Sequence, residues 1–190
     1  MGSEQETASW KVPADAVVDF VNTRADGAGH IERFGSGADL LQWARERDLL
    51  DDGAAVTDFD VLAARELREA LRTVLLSHTD GQQTAALADA HERLRAASDR
   101  YPVRAVVAAG RVRLVPVAGG VPGLLGTVLA AAAETAHRDE WALVKACSSP
   151  KCLYAFRDRT RNHSGRYCSP RCGSRMSMQA LRERNKEDRA

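Results

Sequence analysis

The stretch KACSSPKCLYAFRDRTRNHSGRYCSPRCGSRM, residues 145–176, holds all four cysteines of the chain. They form two close pairs, Cys147-x4-Cys152 and Cys168-x3-Cys172, with fifteen residues between the pairs. A tight turn in each pair brings two sulfurs toward one point, and a linker of this length returns the chain to it. The spacing points to a tetrahedral metal site with Cys147, Cys152, Cys168 and Cys172 as ligands. Four protein ligands leave no open position, so the site is expected to be structural, not catalytic. One zinc ion is favoured. An iron–sulfur cluster takes the same ligands, but nothing in the chain suggests redox partners. Clustered cysteines in a reducing compartment bind metal more often than they form disulfides. His163 is an alternative ligand, set aside because a loop histidine is more often exposed.

Around the cysteines the expected order is a strand over 141–146, a knuckle at Cys147–Cys152, a strand over Leu153–Arg157, a loop, and a short strand at Arg166–Tyr167. A helix follows, with Ser169 at its N-cap and Pro170 at its first position. At ~100° per residue, Arg171, Arg175, Arg182, Lys186 and Arg189 fall within about 60° of each other on that helix. The preceding loop adds Arg157, Arg159, Arg161 and Arg166. A one-sided basic stripe suits phosphate contacts, and the plainer reading is a solvated face or one docked on an acidic partner. Tyr154, Phe156 and Tyr167 read as the small core of this module.

The charge is split along the chain. Residues 145–190 carry 12 Lys and Arg against 4 Asp and Glu, and residues 1–144 carry 15 against 22. The basic segment points to a nucleic acid or another polyanion; the acidic half folding back on it is the bland alternative. Aromatic residues are only 5% of the chain, so Leu, Val and Ala are expected to build most of the core. No apolar run approaches ~18 residues, and the N-terminus is polar and acidic, so neither a membrane span nor a signal peptide is expected and the location is expected to be cytoplasmic.

Upstream, residues 1–13 read as a flexible leader. Val17, Val18, Phe20 and Val21 suggest a short buried helix or turn-rich segment ending at Asn22-Thr23, two residues read as helix-end hydrogen bonders. Residues 26–29 read as a loop. Ser36 and Asp39 start a second helix, expected to stop at Asp51-Asp52-Gly53. Thr57 and Asp60 start a third. Phe59, Leu62, Ala63, Leu67, Ala70, Leu71, Val74 and Leu75 form its apolar face, Arg65, Glu66, Arg68, Glu69 and Arg72 its polar one, and Asp80-Gly81 its end. A fourth helix runs through Leu87, Ala90, Leu94 and Ala97. Val103 to Ala108 and Arg111 to Val117 read as a hairpin turning at Ala109-Gly110. Gly119 to Gly126 reads as a glycine-rich connection into a last helix.

The segment Cys147…Cys152…Phe156-Arg157-Asp158-Arg159-Thr160-Arg161-Asn162…Arg166-Tyr167-Cys168-Ser169…Cys172-Gly173-Ser174-Arg175 resembles the CGNR zinc finger. Asp19-Phe20-Val21-Asn22-Thr23 and Leu67-Arg68-Glu69-Ala70-Leu71 resemble the ABATE domain that precedes it. The resemblance covers nearly the whole chain. It implies a bacterial, stress-induced transcription regulator with a mostly helical N-terminal domain and a DNA-binding finger. Ser174 stands where the family has Asn, Tyr167 where it usually has Trp, and Gly165 where a second Arg is common.

The expected fold is α+β. A leader (1–13) precedes a mostly helical domain with a β-hairpin (14–142). A zinc-ribbon or treble-clef-like finger ending in a basic helix follows (143–190). The helical part serves as sensor, scaffold or homodimer interface, with an unidentified small-molecule effector as its input. No enzyme is expected: the thiols are ligands and no nucleophile motif is present. DNA is the expected partner of Arg157, Arg159, Arg161, Arg166, Arg171, Arg175, Arg182 and Lys186. The alternatives are RNA on the same surface, or an acidic protein partner.

Overall fold

Thr57 opens the longest helix through a reciprocal capping box. Its N–H donates to the Asp60 carboxylate at 2.8 Å, and the Asp60 N–H donates back to Thr57 Oγ1 at 3.2 Å. Gly81, with φ +70°, closes that helix in the left-handed conformation a side chain would disfavour. The structure, a computed structural model, describes residues 10, 12–26, 29–108 and 110–187, Glu187 by its backbone alone. In chain order the elements are α1 (Pro13–Val21), α2 (Gly37–Arg45), α3 (Asp58–Asp80), α4 (Ala85–Arg100), β1 (Val103–Ala108), β2 (Arg111–Pro116) and α5 (Gly120–His137). A 3-10 turn (Trp141–Leu143) leads to β3 (Val144–Ala146), β4 (Ala155–Arg157) and α6 (Pro170–Glu187). The two sheets are antiparallel pairs, β1–β2 and β3–β4. This is the α+β architecture expected, mostly helical with small hairpins.

Residues 1–9 and 11 of the expected leader lie outside the described residues, as do Ala109 of the turn, residues 27–28 of the first loop, and Arg189 of the stripe. Trp10 packs on Trp43, and its Nε1–H donates to Asp19 at 3.0 Å.

The core lies between α1, α2, α3 and α5. Although aromatics are few, three gather at its centre: Phe20, Phe34 and Trp43, with ring centroids 5.2–5.9 Å apart. They are buried with Val17, Leu71, Leu75, Leu125 and Val128. The same cluster takes in Val144, Ala146 and Ala155 from β3 and β4, so the second hairpin packs into the core of the helical part.

Four expectations are corrected. Helix α2 ends at Arg45, not at Asp51. Asp48 turns left-handed (φ +56°) and the Leu49 N–H caps the Ala44 carbonyl at 3.0 Å, so the chain reverses early. On α3, Phe59 and Leu62 are exposed at 80% and 53%, while Arg68 is buried at 3%. Arg68 grips Glu32 with two bonds of 2.6 and 3.1 Å, and donates to Thr23 at 3.3 Å. Burial works against the Glu32 carboxylate, but the bonds from Arg68 and the Phe34 N–H hold it below its usual range. The glycine-rich stretch is not a connection: α5 begins at Gly120 and runs through Gly123 and Gly126. A Cβ at Gly123 would lie 2.3 Å from the Ala118 carbonyl oxygen, so glycine there lets the chain turn tightly into α5, and one at Gly126 would lie 3.1 Å from Pro116, so glycine there lets α5 pass close to the end of β2. Finally, Arg166–Tyr167 forms no strand; one bond, Ser148 N–H to the Arg166 carbonyl at 2.9 Å, ties that segment to the first knuckle.

Candidate metal centre and basic surface

The β3–β4 hairpin pairs Val144 with Arg157 and Ala146 with Ala155. The Cys147 N–H extends it by donating to the Tyr154 carbonyl at 2.9 Å. The chain then tightens. Cys152 N–H donates to the Ser149 carbonyl at 2.9 Å, and Leu153 turns left-handed at φ +52°. This knuckle brings Cys147 and Cys152 to one side. Across from it, Ser169 caps α6: the Cys172 N–H points at Ser169 Oγ at 3.4 Å, with Pro170 as the first helical residue. Cys172 therefore lies in the first turn, and the positive end of the helix faces the sulfurs.

The four Sγ atoms lie within 4.8 Å of one another. Cys152 and Cys168 are 3.5 Å apart, Cys168 and Cys172 3.8 Å. A disulfide needs ~2.05 Å. Four sulfurs each ~2.3 Å from one zinc ion stand about 3.8 Å apart, so this cluster has the size of a ZnS4 tetrahedron. Burial pushes the Cys168 thiol up to about 11 and the Cys152 thiol higher still. Burial also acts on Cys172, but bonds from Ser169 and the neighbouring cysteines outweigh it and lower that thiol. Neighbouring buried thiols resist ionising together without a cation; a divalent metal removes that cost. His163 is exposed and contributes its backbone carbonyl to Lys145 instead. Tyr154, Phe156 and Tyr167 pack around the cysteines as the module's small core.

The residue that sequence reasoning missed is Asp158. Its side chain is fully buried and forms a 2.7 Å ion pair with Lys145 Nζ. It also accepts from the Thr160 N–H (2.9 Å), the Thr160 hydroxyl (2.7 Å) and the Gly165 N–H (2.7 Å). One carboxylate thereby closes the loop 158–165 that displays Arg159 and Arg161. A Cβ on residue 165 would lie 2.7 Å from Asp158 Oδ1, which accounts for glycine there. The available signal was the Asp-x-Thr spacing of Asp158 and Thr160, a turn in which the side chain binds its own backbone two residues on.

A second missed role belongs to Asn22. Its side chain donates to the Ala155 carbonyl at 3.0 Å and accepts from the Ala155 N–H at 2.7 Å. The amide thus acts as one more strand edge beside β4, across 133 residues of sequence. Around it, Thr79 Oγ1 donates to the Ala146 carbonyl at 2.7 Å and His78 Nδ1–H to the Val144 carbonyl at 2.8 Å. His30 stacks on Tyr154 at 4.8 Å. Asn22→Ala leaves both polar groups of Ala155 without this partner. It is expected to cost about 1–3 kcal/mol, measured by urea unfolding, with zinc content unchanged. An unchanged midpoint would show that the clamp is not needed.

The basic residues separate into two groups. Arg157, placed in the surface by its sequence, is half-buried and already paired, with Glu140 at 3.1 Å and Asp15 at 3.7 Å. It joins the finger to α1 and to the turn before β3. Arg159, Arg161, Arg166, Arg171, Arg182 and Lys186 are exposed and Arg175 half-buried. Among the described residues none of these seven makes an ion pair; those of the finger are Lys145–Asp158 and the two of Arg157.

This two-part arrangement coincides with two known families. The model of ABATE, a putative stress-induced transcription regulator, matches residues 14–138, well over half of the chain. The chain belongs to the ABATE family. The CGNR zinc finger model matches residues 144–185, which contain the four cysteines, and the ABATE protein thus carries a CGNR finger built on one structural zinc. No curated protein matches the sequence. Among the described residues, no helix of the ABATE protein is long and apolar enough to cross a membrane.

Proposed function

We propose that this ABATE protein regulates transcription by binding DNA through the basic surface of its finger. The carrying observation is that seven cationic side chains, Arg159, Arg161, Arg166, Arg171, Arg175, Arg182 and Lys186, belong to one module and none of them forms an ion pair among the described residues. Free cations on one face release counterions when they meet phosphates, which supplies affinity without sequence information. The zinc holds shape and does no chemistry, since four protein ligands close its coordination. The helical domain carries the finger and does not mask it: residues 177–186 of α6 are all exposed, which disfavours a basic face docked on the acidic half. Arg157 is excluded from the surface because its charge is spent on Asp15 and Glu140.

The test is binding of random duplex DNA and of single-stranded RNA at two salt concentrations. The native protein is expected to bind duplex, and to weaken steeply with salt. An Arg175→Glu/Arg182→Glu variant is expected to lose at least about tenfold in affinity and to show a shallower salt slope by about two. Preference for single-stranded RNA would move the reading to RNA. No binding to either at low salt would leave a protein-interaction module in its place.

A further inference from the structure

Phosphate contacts account for one side of α6 and leave an adjacent exposed edge unused. At ~100° per residue, Ser174, Met178, Leu181 and Asn185 fall within about 60° of each other, forming a ladder about 80° round the helix from the basic stripe. Met178 and Leu181 are the large apolar side chains exposed on this helix, at 52% and 44%, among the described residues. Ser174 and Asn185 are exposed, and neither side chain has a hydrogen-bond partner among the described residues. Among the described residues nothing covers any side of the helix from residue 177 to 186, and its buried and half-buried residues lie toward its Cys172 end.

We propose that α6 enters the major groove of duplex DNA with the ladder Ser174, Met178, Leu181 and Asn185 against the base edges, so that these four residues set sequence preference. The proposal rests on the reading of the finger as a DNA-binding surface. A bare helix ~10–12 Å across fits a groove ~12 Å wide, and a helix exposed on all sides enters without the protein body colliding with the backbone. Neutral side chains belong over the groove floor and cations beside its phosphate walls, which is how the two edges of α6 are arranged. Asn185 can pair with adenine through both amide atoms, the Ser174 hydroxyl can donate or accept, and Met178 and Leu181 suit thymine methyl groups. The ladder also has the four-three-four spacing of a coiled-coil seam. A second copy is the weaker occupant, because only two of its four positions are apolar and a two-fold pairing would bring two basic stripes side by side.

The experiment selects preferred sites from a randomised duplex library with native protein, Asn185→Ala and Ser174→Asn. Native protein should enrich a motif. Asn185→Ala should lose about 5- to 100-fold in discrimination at one position of it. Ser174→Asn should change the preference at the opposite end, about five base pairs away, since the ladder is about 17 Å long. Zinc content should stay as in native protein. Retained binding with the same motif in both variants would overturn the ladder and leave the basic surface standing. Absence of duplex binding by native protein would overturn both. Self-association without DNA that Leu181→Asp abolishes would assign the ladder to a second copy and overturn the groove proposal.

Discussion

Replacing Cys168 with serine is expected to leave the chain without zinc and to melt α6 and the second knuckle, while the helical domain stays folded. Cys168 stands 3.5 Å from Cys152 and 3.8 Å from Cys172, so its sulfur bridges the two knuckles. Structural zinc in small modules contributes about 10–16 kcal/mol of apparent binding free energy, far more than the contacts around these cysteines can replace. Helix α6 depends on it most. Residues 177–186 are all exposed, and an isolated helix of this length is marginal in water. The β3–β4 hairpin should respond less. Val144, Ala146 and Ala155 are fully buried in the core of the helical part, and Asn22 and Thr79 hold the strands from that side. Metal analysis, far-UV circular dichroism and hydrogen exchange resolved along the chain measure the three parts. One zinc per native chain, none in the variant, and lost protection confined to residues beyond β4 is the expected pattern. A finger that keeps full protection without metal would refute the structural role of zinc.

Asp158→Ala should be the most destabilising single change away from the cysteines, by about 3–5 kcal/mol, because it leaves Lys145 buried with no counter-charge. Asp158→Asn keeps one acceptor oxygen, for the Thr160 or the Gly165 N–H but not for both, and should cost less. Burial alone would raise the Asp158 carboxyl, but the bonds from Lys145, Thr160 and Gly165 prevail and hold it well below the usual carboxylate range. A carboxyl depressed on folding contributes stability at pH values above its unfolded pKa of about 3.9, and that contribution fades as pH falls below it. The native protein's advantage over Asp158→Asn in urea unfolding should therefore be full at pH 7 and shrink below pH 4. An equal difference at both pH values would mean that the charge is not the source of the stability. Arg159 and Arg161 ride on the loop that this carboxylate closes, so Asp158→Ala should also weaken nucleic-acid binding at equal zinc content.

Local signals were legible wherever the chemistry is short-range. The Thr57–Asp60 box, the left-handed Gly81, the Gly110 turn and the Ser169-Pro170 helix start each act within a few residues, and each forms where its residues predict. The cysteine spacing was legible for the same reason: a knuckle is a local turn, and metal ligation demands only that two such turns meet. What misled the reading was periodicity. A helical repeat places Arg68 on the polar face of α3, yet Glu32 arrives from 36 residues away to pair with it and Arg68 is buried. Glycine in Gly119–Gly126 reads as a breaker until Ala118 closes on Gly123 and Pro116 of β2 on Gly126, leaving little room for a side chain at those two positions.

The sequence by itself determined the metal site, the cap and break of α3, the start of α6, and the uneven distribution of charge, because each depends on residue type and spacing alone. Only the tertiary structure decided that Asn22 serves as a strand edge for the finger, that Asp158 and Lys145 share one buried ion pair, and that Arg157 is spent on Asp15 and Glu140 while seven other cations have no ion-pair partner among the described residues. The physical reason is range. A hydrogen bond or an ion pair acts over about 3 Å in space and takes no account of separation along the chain, so its partners are settled only when packing brings them together.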